Sequence, residues 1–352
     1  MNEIDPKEGI SLNDLRGSFE EGSIQRIVVD EIHNHDDLIS DVKWYPSNKT
    51  DRDEAEVVMS KPKAHHHMMG EGKVASGYST QIKSVTPCMS YAMLEILEER
   101  YKKHQRRGDG EAYLRKQVKA QVASLAELMT MDILYGNRKN DPKGMNGLAT
   151  MYCTIGNTLG GALDFSTRTM DAFPSGLSKE GGTNTANLRD IFAVTFGEDA
   201  VKPFYPKDAA NIGLDFGDKM ERVQKTDPKN GGIVWYLQRE FNWEGGVHVV
   251  NPTKAGRLCN FPLDKMASQS GYAQELLAKL IRFTDLIKAG PGEKTILYMD
   301  PMLWTEIKIL LAQVKWTNAF KDEDIDTVHK KMLFGKEVRT NESQAFAQKL
   351  VA

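Results

Sequence analysis

Two clusters carry the side chains that bind metals best. His33-Asn34-His35-Asp36-Asp37 brings imidazoles and carboxylates together, the donors that suit zinc and other divalent ions. Its histidines stand two residues apart in a polar stretch, which fits a solvated turn better than a coordination shell. His65-His66-His67, followed by Met68-Met69-Gly70, is a short tract with incidental metal affinity and a charge that changes near neutrality. Gly156-Asn157-Thr158-Leu159-Gly160-Gly161 has the glycine density of a phosphate loop but lacks the Lys-Ser/Thr that reaches phosphate and metal, so it reads as a plain turn. No serine sits in a GxSxG context, and HExxH and GxGxxG are absent. Cys88, Cys153 and Cys259 lie far apart with no CxxC spacing, the pattern of reduced thiols rather than a disulfide framework or a metal site. The residues therefore predict no catalytic centre, no cofactor and no metal.

The bulk properties agree with a large structural chain. Its 352 residues are enough for a sizeable core and more than one packing unit. With 49 acidic and 46 basic residues the net charge is −3, unlike the strongly basic balance of a dedicated nucleic-acid binder. No apolar run is long enough to span a membrane, and the opening MNEIDPKEGISLNDL is too polar for a signal peptide. One local basic run stands out: Arg100, Lys102, Lys103, Arg106, Arg107, Arg115, Lys116 and Lys119, opposed by Asp109 and Glu111. It reads first as a solvated helix face. Its functional reading is a positive wall that tolerates DNA phosphates without reading sequence.

The elements follow from periodicity. Residues 1–40 are polar with two apolar clusters, and Ser11 with Asp14 can cap one helical turn. They predict an arm that needs a partner surface. Residues 41–86 predict a long, hydrophilic β-hairpin with its turn at Gly70–Gly72, marginal in isolation and more sensible lying on a neighbouring subunit. Met89, Met93, Ile96 and Leu97 recur at helical spacing. After a break at Gly108-Asp109-Gly110, Tyr113, Leu114, Val118, Val122, Leu125, Leu128 and Met129 extend one stripe. A helix over about 110–131 follows, with Asp109 as its N-cap. Gly136 after it predicts a tight reversal with positive φ. Residues 150–190 read as loops with small strands. Strands are expected at 190–196, 233–243 and 247–250, the second of them central or two-sided because both its faces are partly apolar. A helix over 271–288, stopped by Gly290-Pro291-Gly292, precedes a short buried strand at 295–299. Asp300-Pro301 then starts another helix.

Several of these segments match a known family in order. Asn184-Thr185, Ile191 to Gly197, Tyr205-Pro206-Lys207, Gly213-Leu214, Gly231-Gly232 and Gln238 to Gly246, which includes Trp243, form one series. Leu134-Tyr135-Gly136, Pro142 and Gly147-Leu148-Ala149 form another, with Asn137 where the family usually has Asp. Ile296 to Pro301 and the ending at 334–342 complete it. On these residues the chain resembles the major capsid protein of tailed bacteriophages, over most of 88–342.

The resemblance implies an α+β chain with the Hong Kong 97-type capsid fold. Its parts would be an N-terminal arm (1–40), an extended loop (41–86), a peripheral domain (87–251) with a spine helix at about 110–131, and an axial domain with a return strand (252–352). The strand-rich block precedes the helix–strand–helix block here, which leaves room for a permuted connectivity. The implied function is self-assembly: pentamers and hexamers closing an icosahedral shell around double-stranded DNA in the host bacterial cytoplasm, with scaffold, portal or decoration proteins as further partners and no membrane. The family-matching positions Tyr135, Gly136, Gly147, Leu148, Gly197, Tyr205, Pro206, Lys207, Gly213 and Trp243 would be structural. Two competing classes are a nanocompartment shell of the same fold and a metal-dependent enzyme using the histidine clusters.

Overall fold

Alternation of buried and exposed residues, rather than helical spacing, governs residues 88–97 in the computed structural model of the chain. The structure describes residues 9–351 apart from 36, 61, 78, 157–164, 180–184, 218–219, 228–230, 269–270, 288, 315–319 and 326–327. Its strands begin with β1 (Ile10–Ser11), β2 (Lys43–Pro46), β3 (Asp53–Ser60), β4 (Ser79–Val85), β5 (Cys88–Leu97), β6 (Thr169–Asp171), β7 (Leu188–Thr195) and β8 (Val201–Tyr205). They continue with β9 (Leu214–Asp215), β10 (Glu221–Thr226), β11 (Ile233–Val249), β12 (Ala255–Pro262), β13 (Thr295–Met299), β14 (Phe320–Ile325), β15 (Val328–Leu333) and β16 (Lys336–Thr340). The helices are α1 (Leu12–Ser18), α2 (Ile24–His35), α3 (Asp37–Asp41), α4 (Glu98–Arg107), α5 (Gly110–Tyr135), α6 (Leu148–Met151), α7 (Tyr272–Leu286) and α8 (Pro301–Gln313).

β5 corrects the helical reading of its residues. Cys88, Ser90, Ala92, Leu94 and Ile96 are buried, while Met89, Tyr91 and Met93 face out. A strand places every second side chain on one face. Met89 and Met93 satisfy a helical spacing and a strand spacing alike, and the pairing of β5 with β11 from Cys88 to Leu97 decides between them.

The helix that follows is longer than expected. α5 has 26 residues, about 39 Å at 1.5 Å per residue. Val118, Val122, Leu125, Ala126, Met129, Ile133 and Leu134 form its buried stripe, and Leu128 is 45% exposed, off that stripe. Asp109 makes no capping bond with its side chain. Instead its carboxylate lies 3.0 Å from His104 Nδ1 across the α4–α5 turn, where Gly108 takes the left-handed conformation.

Gly136 has φ −49, so the expected positive φ is absent. Its need is steric. A Cβ there would stand 2.5 Å from the carbonyl oxygens of Asp132 and Met145, and one at Gly147 would stand 2.5 Å from the Asp132 oxygen. The loop closes by Gly147 N donating to Gly136 O at 2.8 Å. Beside it, burial and the nearby Asp141 push the Asp132 carboxyl up to about 6. A raised carboxyl favours the fold while protonated. Its contribution is full below the ordinary value of 3.8 and is lost as pH rises through about 6. The shift corresponds to about 3 kcal/mol, of which solvent screening leaves about 1 kcal/mol. Asp132→Asn is therefore expected to raise stability at pH 7.5 by about 1 kcal/mol, and to remove part of the gain the wild type shows on going to pH 5, in urea titrations at both pH values.

Residues 10–41 are built into the body of the chain rather than waiting for a partner. Ser11 and Asp14 form a reciprocal capping box, with bonds of 3.2 and 2.9 Å. Val28, Val29 and Ile32 of α2 are buried in the same core as the α5 stripe, and Lys119 of α5 reaches Glu31 at 2.8 Å. Asp41 at the end of α3 receives Arg339 of β16 at 2.9 and 3.0 Å. The apolar clusters that looked too sparse for a core are enough once α5 supplies the other half.

Two seven-stranded sheets organise the rest. The first runs β1-β2-β8-β11-β10, with β5 and β9 also on β11. The second runs β14-β15-β16-β13-β7-β12-β6. β11 is a single 17-residue strand, where two were expected. Gly245 and Gly246 do not break it; they let it pass beneath the rings of Trp44 and Phe204, which a Cβ would meet at 3.0 and 2.7 Å. The strand is central, as expected. The expected boundary at 251 does not follow the sheets, because β6 and β7 pair with β12.

The second sheet is covered on both sides. Ile191, Ala193, Leu297 and Met299 face α7 and α8, while Phe192, Val194, Ile296 and Tyr298 face the core shared with α5. α7, β13 and α8 fall where their patterns place them. Asp300 accepts from Met302 N at 2.8 Å with Pro301 in the first helical position, a capped start that Pro favours.

Candidate assembly surfaces

The hairpin β3–β4 leaves the body at a root that is clamped on both legs. On the incoming leg Asp53 is 1% exposed, and its carboxylate accepts from Lys202 Nζ of β8 and from His248 Nδ1 of β11, each at 2.8 Å. Lys202 is 8% and His248 2% exposed. Burial pushes the Asp53 carboxyl up, but the His248 ring and the Lys202 ammonium outweigh it and hold the group below its ordinary range. On the outgoing leg Arg138 donates to the carbonyls of Thr86 and Pro87 at 3.4 and 3.3 Å and to the Thr86 hydroxyl. The turn at Asn48 adds a pair of bonds to the backbone of Glu54. None of Asp53, Lys202 and His248 was picked out from sequence. The signal was a lone charged or polar residue inside an apolar run, as in Val201 to Tyr205 and Gly246 to Val249.

The family-matching residues gather behind that root. Tyr205 accepts from Ser47 N through its carbonyl at 2.8 Å, and Lys207 N donates to Ser47 Oγ at 3.0 Å, so the Tyr205-Pro206-Lys207 segment fixes where the chain turns towards the hairpin. Gly197 N donates to Val201 O at 3.0 Å in the turn before β8. Trp243 packs 5.3 Å from Trp44 and donates to Ile212 O at 3.3 Å. Gly213 has φ 81, and a Cβ there would collide with the Glu244 carbonyl. At the far end of α5, Tyr135 meets Phe192 and Phe346 edge-on at 5.4 and 4.9 Å, near Gly136, Gly147 and the buried Leu148. Each of these positions makes its contacts within the body of the chain.

The outer face of the first sheet carries Met89, Tyr91 and Met93 of β5, which are 75%, 65% and 43% exposed. Their cross-strand partners on β11 are Glu244, Asn242 and Glu240. Asp215 of β9 lies opposite Asn242, and Glu221 of β10 opposite Gln238. Lys225 pairs with Glu95 at one end of this face and holds that carboxyl below its ordinary range. Burial pushes the Glu244 carboxyl up.

The basic run is split between α4 and the first turns of α5. Several of its members already have partners: Lys102 with Glu98 at 2.8 Å, Arg115 with Glu111 at 3.9 Å, Lys119 with Glu31, and Arg100 over the Tyr113 ring at 5.6 Å. Lys103, Arg106, Arg107 and Lys116 are exposed.

The metal-like clusters fall on different parts of the chain. His33 and His35 lie in the last turn of α2 rather than a loop, and Asp36 is outside the described residues. His65, His66 and His67 are exposed near the hairpin tip. Among the described residues no group of three or more His, Cys, Asp or Glu could hold a metal ion. Of the loop at 156–161 only Gly156 lies within the described residues. Burial pushes the Cys88 thiol up to about 11 and that of Cys259 higher still, while Cys153 is exposed. No helix among the described residues is long and apolar enough to cross a membrane.

A family model described as Major capsid protein GP7 matches residues 20–348. The chain is similar to a solved structure of bacteriophage Epsilon15, with 16% identity, 100% of this chain and 99% of that one covered, and a TM-score of 0.57. It is also similar to the bacteriophage JBD30 capsid, at 11% identity over 86% and 89% of the two chains with a TM-score of 0.42. No curated protein matches it. With the family matched over nearly its whole length, the chain belongs to the major capsid protein GP7 family and carries the capsid fold of tailed bacteriophages.

Proposed function

We propose that copies of this chain close an icosahedral shell, through rings of five and six, around packaged double-stranded DNA in the host bacterial cytoplasm, and that its work is structural rather than catalytic. The family match over 20–348 carries this reading. The hairpin supports it: among the described residues β3 and β4 pair only with each other, and residues 62–77 are exposed throughout. A two-stranded ribbon is marginal in water and gains stability by lying on another surface. Head-to-tail contacts whose rotation closes make rings, and many weak contacts per subunit make the closed shell collectively stable.

In this reading residues 41–86 are the extended loop, α5 is the spine of a peripheral domain, and the second sheet with α7 and α8 is the core of an axial domain. Scaffold, portal and decoration proteins are the further partners such a shell engages. Negative-stain electron microscopy of the chain expressed alone and with its neighbouring genes tests it. Closed shells or five- and six-membered rings are expected, and small discrete particles under both conditions would overturn the reading.

The exposed part of the basic run is assigned to the inner wall. Neutralising Arg106 and Arg107 as Arg106→Gln and Arg107→Gln is expected to lower the yield of DNA-filled particles several-fold while empty shells still form, because phosphate neutralisation is independent of shell contacts. Unchanged packaging would assign the run to solvent.

A further inference from the structure

Side chains with soft or borderline donor atoms follow one another at the hairpin tip: His65, His66, His67, Met68 and Met69. All are exposed, Met68 at 73% and Met69 at 103%. Adjacent methionines this exposed are informative, because a thioether left in water contributes no burial to the fold. Within 62–77 the only carboxylate is Glu71. Hard cations such as calcium and magnesium take sets of oxygen ligands, so this donor set excludes them.

The backbone confines these donors. Met68 O accepts from Glu71 N at 3.1 Å, and Gly70, with φ 95, fills the turn position that needs a positive φ. Glu71 is turned back on the tip, accepting from Met68 N at 3.0 Å, which ties its carboxylate to the turn. Ser76 donates to Lys63 O at 2.7 Å and joins the two legs behind the tip. His65 and His67 are alternate residues of the incoming leg. In extended backbone that places their Cα atoms about 7 Å apart, a spacing across which two imidazoles can close on one ion.

Charge and softness select the ion. Lys63 and Lys73 flank the tip and repel a dication more than a monocation. Thioether sulfur selects Cu(I), and imidazole binds copper as well. Zinc prefers a four-coordinate shell of thiolate, imidazole and carboxylate. Among the described residues no three His, Cys, Asp or Glu are gathered for one ion, so a site at the tip depends on its methionines. A small set of imidazoles completed by a thioether suits Cu(I) best.

We propose that the hairpin tip is a Cu(I) site, with His65, His67 and a thioether of the Met68–Met69 pair as its ligands. Binding is ligation alone: no electron is exchanged, and each imidazole coordinates in its neutral form. The closed turn lowers the ordering cost of bringing the ligands together. The site belongs to the single subunit, so it stands apart from the shell reading.

Anaerobic competition for Cu(I) against bicinchoninate tests it on the full chain, with Cys153→Ser as background because Cys153 is an exposed thiol. A single Cu(I) per chain is expected to leave the chelator. His65→Ala with His67→Ala should weaken binding about a hundredfold, and Met68→Leu with Met69→Leu about tenfold. Both variants should keep the wild-type thermal midpoint, since these side chains are exposed. The methionine variant should leave Ni(II) binding unchanged, because nickel is served by the imidazoles. Copper X-ray absorption should show a sulfur neighbour that the methionine variant loses. Cu(I) binding no stronger than in the histidine variant overturns the site. Binding that is indifferent to the methionines also overturns it, and reduces the tract to a plain histidine patch.

Discussion

Asp53→Ala is expected to destabilise the subunit by about 3–5 kcal/mol, because it leaves the Lys202 ammonium and the His248 ring facing each other in a site from which water is nearly excluded. The loss should be concentrated at the hairpin root. Limited proteolysis within residues 53–85 should become at least tenfold faster, while sites in α7 and α8 stay protected. Shell yield should fall, since a hairpin without a fixed exit cannot be presented in one direction. The sign of the pH dependence follows from the carboxyl being held below its ordinary 3.8. Its contribution is present above that value and is lost as pH falls through the lowered one, so wild type and variant should converge in acid. A stability difference under about 1 kcal/mol at pH 7, with unchanged proteolysis, would mean that the root is held by the Arg138 leg alone.

The second large effect concerns Arg257. From β12 it donates to the Asp190 carboxylate at 2.6 and 3.2 Å and to the carbonyls of Ala149 and Tyr152 at 3.0 and 3.2 Å. One guanidinium therefore ties the second sheet to α6 and the turn after it. Arg257→Met removes that fork and leaves Asp190, 2% exposed, as a buried charge without its ion-pair partner, offset by the Asn260 N–H and the charge of Arg189. The expected cost is about 3–5 kcal/mol in chemical denaturation. Asp190→Asn on top of it should recover more than half, since the charge rather than the packing makes the loss large. Additive losses would instead assign the effect to the carbonyl contacts. Unlike Asp53→Ala, neither variant should speed cleavage in the hairpin.

Local signals were legible in the sequence where one element faces one environment. The α7–β13–α8 block could be read because each amphipathic face meets one core and because Asp300-Pro301 is a start signal in its own right. The Ser11–Asp14 box was readable for the same reason. β5 was misread because it is apolar on both faces: Met89, Tyr91 and Met93 outside, Cys88, Ala92, Leu94 and Ile96 inside. A two-sided strand has no alternation to count, and its methionines fall at helical spacing by coincidence. The glycines were misread for a related reason. Gly136, Gly245 and Gly246 are small because backbone or rings press on them, not because the chain turns there, and such closeness exists only after folding. The assembly surfaces were the least visible. Lys202 and His248 stand 149 and 195 residues from Asp53, so nothing local in the sequence joins them.

The second sheet is packed against helices on one side and against the α5 core on the other, and it takes strands from both sides of residue 251. Such a shared wall leaves no plane along which one half of the subunit could swing against the other. In the shell proposed above, differences in curvature between fivefold and sixfold environments are then expected to be absorbed elsewhere. Among the described residues, the β3–β4 ribbon and the outer reach of β10–β11 stand clear of the wall. In the proposed shell the subunit is expected to act as a rigid tile with two compliant tongues, and the quasi-equivalence of a closed lattice to be read out as different bends of those tongues on an unchanged body.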